Sequence, residues 1–242
     1  MTAKRAETLN DRVYHEIKAK LVSGAFPPGQ PLTIRGLAAQ LGTGLMPVRE
    51  ALNRLAAARA LVPGARRSFV VPTLTHERLH ELVNIRAELE GLATQLTASN
   101  ILPRECNRLD VLNGRMFEAA KAGDRAAYFR HNQDFHWLIY EASGSQMLID
   151  LIDELWLHHG PIQAFAFTDP AIFIDGTQRH QQIIDRLRAG DGPGARRAME
   201  HDIRTSAAYV ARNLATVQGQ PGGAVPCAPI VPDDADVSES HG

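Results

Sequence analysis

Two cysteines in 242 residues, Cys106 and Cys227, are too few and too far apart for a disulfide framework or a thiolate zinc site, which fits a reducing compartment. Long apolar runs are missing too. No stretch approaches the roughly 18 residues a membrane helix needs, and the opening MTAKRAETLNDR lacks the apolar core of a secretory signal. A cytoplasmic location with no membrane partner is therefore expected. Nor is there a surplus of charge, the formal net charge being −1. What is present, 44% hydrophobic and 22% charged residues, suits a globular protein of one large or two modest domains and excludes disorder throughout.

The balanced total hides a segregation. Residues 1–72 hold eleven Lys and Arg against four acidic residues, a net of +7; the fifteen basic and twenty-three acidic residues that remain give −8. Such asymmetry points to a polyanion-binding module joined to an acidic module with another task.

The basic part reads as three short helices and a hairpin. Over 10–23, Val13, Ile17 and Leu21 recur every fourth residue until Gly24 and Pro27-Pro28-Gly29 stop the helix. Thr33 caps a second helix carrying Leu37, Ala38 and Leu41, which ends at Gly42. Pro47 opens a third, running to about Arg59 with Val48, Ala51, Leu52 and Leu55 inward. Leu61-Val62 and the run 69–72 then read as two strands around a basic turn. Together these make a winged helix-turn-helix over 1–74.

From Thr75 the period stays near 3.6 for about 140 residues, with breaks at Pro103, Gly123, Gly144, Pro161, Pro170 and 190–194; this predicts roughly six helices, an all-helical bundle over 75–215. The Gly-, Pro- and acid-rich remainder, 216–242, reads as a flexible tail. The fold class is thus mainly α.

On the third helix Met46, Arg49, Glu50 and Asn53 form one stripe opposite the apolar one. Such a stripe fits a major groove: the Arg49 fork matches the two acceptors of guanine, while Asn53 and Glu50 reach other base edges or orient Arg49. Arg66 and Arg67 at the hairpin tip reach the adjacent backbone or minor groove, and Arg35 a phosphate. The expected DNA-binding set is Arg35, Thr43, Met46, Arg49, Asn53, Arg66 and Arg67.

The run LGTGLMPVREALNRL (41–55), preceded by PGQPLTIRGLA (28–38), resembles the GntR family of bacterial transcription regulators. The chain from IRAELE (85–90) through NQDFHWLIYEASG (132–144) to His180 resembles its FadR-like branch, whose helical C-terminal (FCD) domain binds small effectors. The resemblance covers 10 to about 215. It implies a homodimer on a short inverted repeat of double-stranded DNA, with an organic or sugar acid as effector. Arg35 and Arg49 fall on positions the family uses on DNA. At Gly44-Leu45, where the family often has Ser or Thr followed by Arg, the chain departs, which implies a different operator.

In the helical part Asn132 and His136 lie one turn apart on an inward stripe with Phe129 and Ile139; His180 shares a face with Ile183, Ile184 and Leu187, and Asp202 with Met199 and Ser206. Polar groups presented inward need partners such as a divalent metal. The resemblance implies a site of one Asp or Asn and three His, matched here by Asn132, His136 and His180, with Asp202 at the fourth position and His201 one residue off. Two His and a carboxylate still admit zinc, manganese or iron(II). Core imidazoles hydrogen-bonded to neighbours are the alternative. Arg86, His136 and His180 are the expected effector contacts, although Arg86 pairs equally well with Glu90 four residues on. His158-His159 either line the pocket or sit at a helix end, and are read as the helix end. Two other readings stay open: a metalloenzyme with a DNA-targeting head, and an architectural DNA-binding protein without a ligand.

Overall fold

A computed structural model describes residues 8–65, 68–162 and 170–218, with the side chains of 170 and 215–218 left aside. Helix α1, Leu9–Val22, begins one residue earlier than the apolar spacing indicates. Thr8 supplies a capping box: its hydroxyl accepts from Asp11 N at 3.1 Å and the Asp11 carboxylate accepts from Thr8 N at 3.3 Å. Val13, Ile17 and Leu21 are buried as the period requires. Thr33 caps α2, Ile34–Gln40, by accepting from Gly36 N.

The third helix, α3, Leu45–Ala57, starts two residues before the expected Pro47, with Gly44 as its N-cap. Pro47 is accommodated because it sits in the first turn, where a backbone N–H has no helical partner in any case. The wing also differs. A strand β1, Pro31–Thr33, was not foreseen; with β2, Val62–Pro63, and β3, Ser68–Val70, it makes a three-stranded antiparallel sheet in the order β1-β3-β2, Leu32 opposite Phe69 and Val62 opposite Val70. Pro63 is tolerated because β2 is an edge strand.

Six more helices lie among the described residues: α4, His76–Thr97; α5, Pro103–Ala122; α6, Arg125–Ala142; α7, Gln146–His159; α8, Pro170–Arg188; and α9, Gly192–Gln218. Thr75 caps α4 by accepting from Arg78 N. Helix α4 is the spine: it packs against α9, α7 and α6, while α5 lies on α6 and α8. Phe135, Tyr140 and Trp156, all fully buried, fill the space between them. Helix α9 reaches Gln218, so the tail expected from 216 is helical over its first three residues, and 219–242 lie outside the described residues. No described helix is long and apolar enough to cross a membrane.

The two parts meet where α1 crosses the end of α7. A short 3-10 turn, Gly160–Ile162, continues α7 and is wholly buried. A Cβ placed on Gly160 would lie 2.1 Å from the Leu21 carbonyl oxygen and 2.5 Å from Val22 Cα, so only glycine lets the backbones approach so closely. Lys18 on α1 pairs with Asp153 on α7 beside this contact, and the Arg78 guanidinium lies 3.2 Å from His158 Nδ1.

Candidate functional site

On the N-terminal part the expected stripe is presented to solvent. Met46 is 69% exposed and Leu45 47%, and Arg49, Glu50 and Asn53 are exposed beyond them on α3. Arg35 is exposed on the first turn of α2, and Thr43 is half-buried in the turn between the two helices. The cations sort themselves by pairing. Arg54 is taken up by Asp11 at 3.3 Å and lies 3.7 Å over the Tyr14 ring. Among the described residues Arg35 and Arg49 have no ion-pair partner, which leaves both available to phosphate or base. Glu50 does not orient Arg49: its carboxylate accepts from Asn10 Nδ2 at 2.5 Å and is turned toward α1. Arg66 and Arg67 lie outside the described residues.

In the helical part a cavity of about 60 Å³ opens between α4, α6, α7, α8 and α9. That is several times the roughly 10–15 Å³ one water occupies on this measure. His136 from α6, His180 from α8 and Asp202 from α9, all buried, converge on its wall, each offering one donor atom within 4.8 Å of the others. The Nε2 atoms of His136 and His180 lie 3.7 Å and 3.6 Å from the same oxygen, Asp202 Oδ2. Asn132, half-buried one turn before His136, also lines the cavity. The side chains expected from three helices are thus brought together. His201 is exposed and faces a different groove, with Arg186 and Arg197, so it is Asp202 and not His201 that joins His136 and His180 on the cavity wall.

Electrostatics keep this cluster from resolving itself internally. Burial pushes His136 down to about 3, with His180 and Arg86 adding to the effect, so its imidazole is neutral at physiological pH. Burial alone would raise the Asp202 carboxyl, but His180, His136 and Arg179 hold it well below the usual carboxylate range. Arg179 is the permanent cation in that set: its Nε donates to Asp202 Oδ1 at 2.8 Å. Asp202 Oδ2 is therefore an anionic oxygen opposite two ring nitrogens at separations too long for hydrogen bonds. Two imidazole nitrogens and one carboxylate oxygen form a donor set that fits zinc, manganese or iron(II).

Two site residues fall on alternatives that the sequence leaves open. Arg86 lines the cavity with its fork on Glu90, through Nε at 2.6 Å and Nη2 at 3.1 Å, the pairing that the four-residue spacing offered beside an effector contact. His159 ends α7 as expected and also lines the cavity, where burial, then Arg86 and His136, keeps it well below the usual histidine value. Sequence reasoning missed Arg179, Tyr140 and Trp156. For Arg179 the only available signal was Asp175 four residues earlier, which it does bind.

Residues 9–71 match the family described as "Bacterial regulatory proteins, gntR family" and residues 81–205 match the FCD domain. The chain is 30% identical over 205 residues to the HTH-type transcriptional regulator McbR of Escherichia coli K12, covering 84% of this chain and 93% of McbR. The solved McbR structure superposes with a TM-score of 0.80 over 85% of this chain and 98% of that one. The chain is also 32% identical over 211 residues, 86% of its length and 91% of the relative, to the "Probable D-xylose utilization operon transcriptional repressor" of Paenarthrobacter nicotinovorans. A GntR regulator from Rhodococcus sp. RHA1, 20% identical, shares the fold with a TM-score of 0.69 over 83% of this chain and 96% of that one.

Proposed function

Because the chain belongs to the GntR family of bacterial transcriptional regulators and carries an FCD domain, we propose that it binds an inverted-repeat operator as a homodimer and is switched by a small organic or sugar acid held beside a divalent metal. The relatives are named as transcriptional regulators, which sets the metalloenzyme reading aside. DNA contact falls to the exposed stripe of α3, with Arg49 and Asn53 on base edges and Met46 beside them, and to Arg35 and Thr43 on the backbone. Arg66 and Arg67, between β2 and β3 in the chain, are assigned to the flanking DNA.

The observation that carries the effector half is the meeting of His136 Nε2, His180 Nε2 and Asp202 Oδ2 on the cavity wall. Both guanidiniums at the cavity are already engaged, Arg86 by Glu90 and Arg179 by Asp202 and Asp175. A carboxylate entering there therefore finds no free cation among the lining side chains. A divalent ion bound by His136, His180, Asp202 and Asn132 would supply Lewis-acidic charge for the effector's oxygens. The rest is done by the protein: Arg179 keeps Asp202 ionised and oriented, and Trp156 and His159 line the cavity on the helix whose end lies on α1.

Metal analysis of protein purified without chelators, alongside His136→Ala and His180→Ala, tests the site. Metal in the wild type and its loss in both variants is expected. Thermal shifts with a panel of small organic and sugar acids, with and without zinc or manganese, test the effector, since a ligand that binds only the folded state raises the melting temperature. A wild type that is metal-free, gains nothing from either metal and responds to no acid would reduce these residues to a hydrogen-bonded wall and favour a ligand-free architectural protein.

A further inference from the structure

The two histidines of the cluster are not held alike. His180 stacks on Phe135 at 4.5 Å between ring centroids, and its buried Nδ1 has no hydrogen-bond partner. His136 Nδ1 instead lies 3.2 Å from the Tyr140 hydroxyl oxygen, one turn along α6. Tyr140 in turn bonds to Glu90 Oε2, and Glu90, wholly buried, is gripped by Arg86 through both carboxylate oxygens.

Counting protons along this chain fixes its direction. The Glu90 carboxylate, paired with Arg86, has no hydrogen to offer and only accepts. The single Tyr140 hydroxyl hydrogen therefore goes to Glu90, and the Tyr140 oxygen is left as an acceptor toward His136. Nδ1 must then be the protonated nitrogen of the neutral ring, and Nε2 carries a bare lone pair aimed at Asp202.

We propose that Tyr140, held by Glu90 and Arg86, is a positioning residue that locks His136 in the Nδ1–H tautomer and so presents Nε2 as a ready-made donor to a cation. The use of that donor rests on the metal reading above; the lock itself does not. A partner on the far nitrogen of a liganding imidazole sets its tautomer and orientation, and removing such a partner lowers metal affinity by roughly 10–100-fold. His180 has no equivalent restraint, so the two rings should respond differently to the same substitution.

Long-range proton–nitrogen NMR of the histidine side chains, recorded on the full metal-free chain at neutral pH, tests the lock without any variant. His136 is expected to show a protonated Nδ1 and an unprotonated Nε2; the opposite pattern overturns the proposal. Tyr140→Phe keeps the packed ring and removes the acceptor. It should shift His136 toward Nε2–H, leave His180 unchanged, and weaken zinc binding about 10–100-fold in competition titrations. An unchanged tautomer in that variant also overturns it. Failure of the wild type to bind zinc, with the Nδ1–H pattern present and lost in Tyr140→Phe, would remove the metal reading and uphold the lock.

Discussion

Arg179 Nε and Asp202 Oδ1 meet at 2.8 Å between α8 and α9, both side chains about 6% exposed, and this one bond decides which carboxylate oxygen faces the imidazoles. Removing the guanidinium leaves a buried carboxylate without its permanent counter-charge. Arg179→Met should cost about 3–5 kcal/mol of folding free energy, the range for breaking one side of a buried pair. Urea unfolding measures it, and a loss below about 1 kcal/mol would mean that Asp202 does not depend on Arg179.

For the proposed DNA surface, Arg49→Ala should abolish discrimination between operator and scrambled duplex, because Arg49 is exposed on the α3 stripe and has no ion-pair partner among the described residues. Arg35→Ala should weaken both duplexes alike and flatten the salt dependence by about one counterion. Fluorescence anisotropy at several salt concentrations separates the two. Equal loss on both duplexes for Arg49→Ala would strip it of the base-reading role.

Leu45, 47% exposed at the first position of α3, stands at the tip of the same surface. An aliphatic side chain touches a thymine methyl but donates nothing to guanine O6 or N7. Selection from random duplexes should therefore yield sites in which the base facing Leu45 is thymine. Leu45→Arg should restore a guanine there, and an unchanged preference in that variant would show that residue 45 reads nothing.

Stability of the metal-free protein should fall as pH drops below about 6.5. His159 is held well below its ordinary value by burial, so the folded state keeps it neutral while the unfolded chain takes up a proton. With more protons bound unfolded than folded, stability rises with pH through that window and is complete above 6.5. The slope per histidine is at most about 1.4 kcal/mol per pH unit. Denaturation in chelator at pH 7.5, 6.5 and 5.5 should show a shallower decline for His159→Gln than for the wild type.

The helix pattern of both parts was legible because caps and breakers are local: Thr33, Thr75, Gly42 and Pro103 act within a few residues of themselves. Strand β1 was not, since three residues carry no usable alternation and its partner lies some thirty-five positions away. Pro47 misplaced the start of α3 because a first-turn proline is compatible with more than one register. In the site, His136, His180 and Asp202 betrayed themselves as polar positions on apolar stripes. Arg179 and Tyr140 did not, for a charge or a phenol on a helix looks the same in sequence whether it meets solvent or a carboxylate on another helix.

The Gly160 contact bears on how such proteins exchange their parts. With the Leu21 carbonyl in the space a methyl group would fill, the DNA-binding head and the helical domain fit as a matched pair rather than as interchangeable modules. A chimera that grafts this head onto another helical domain inherits a working joint only if the recipient also has glycine at the end of the corresponding helix. Recombination within the family should then leave its crossovers outside the pair formed by α1 and the end of α7, so that the two segments travel together even though some 140 residues separate them in the chain.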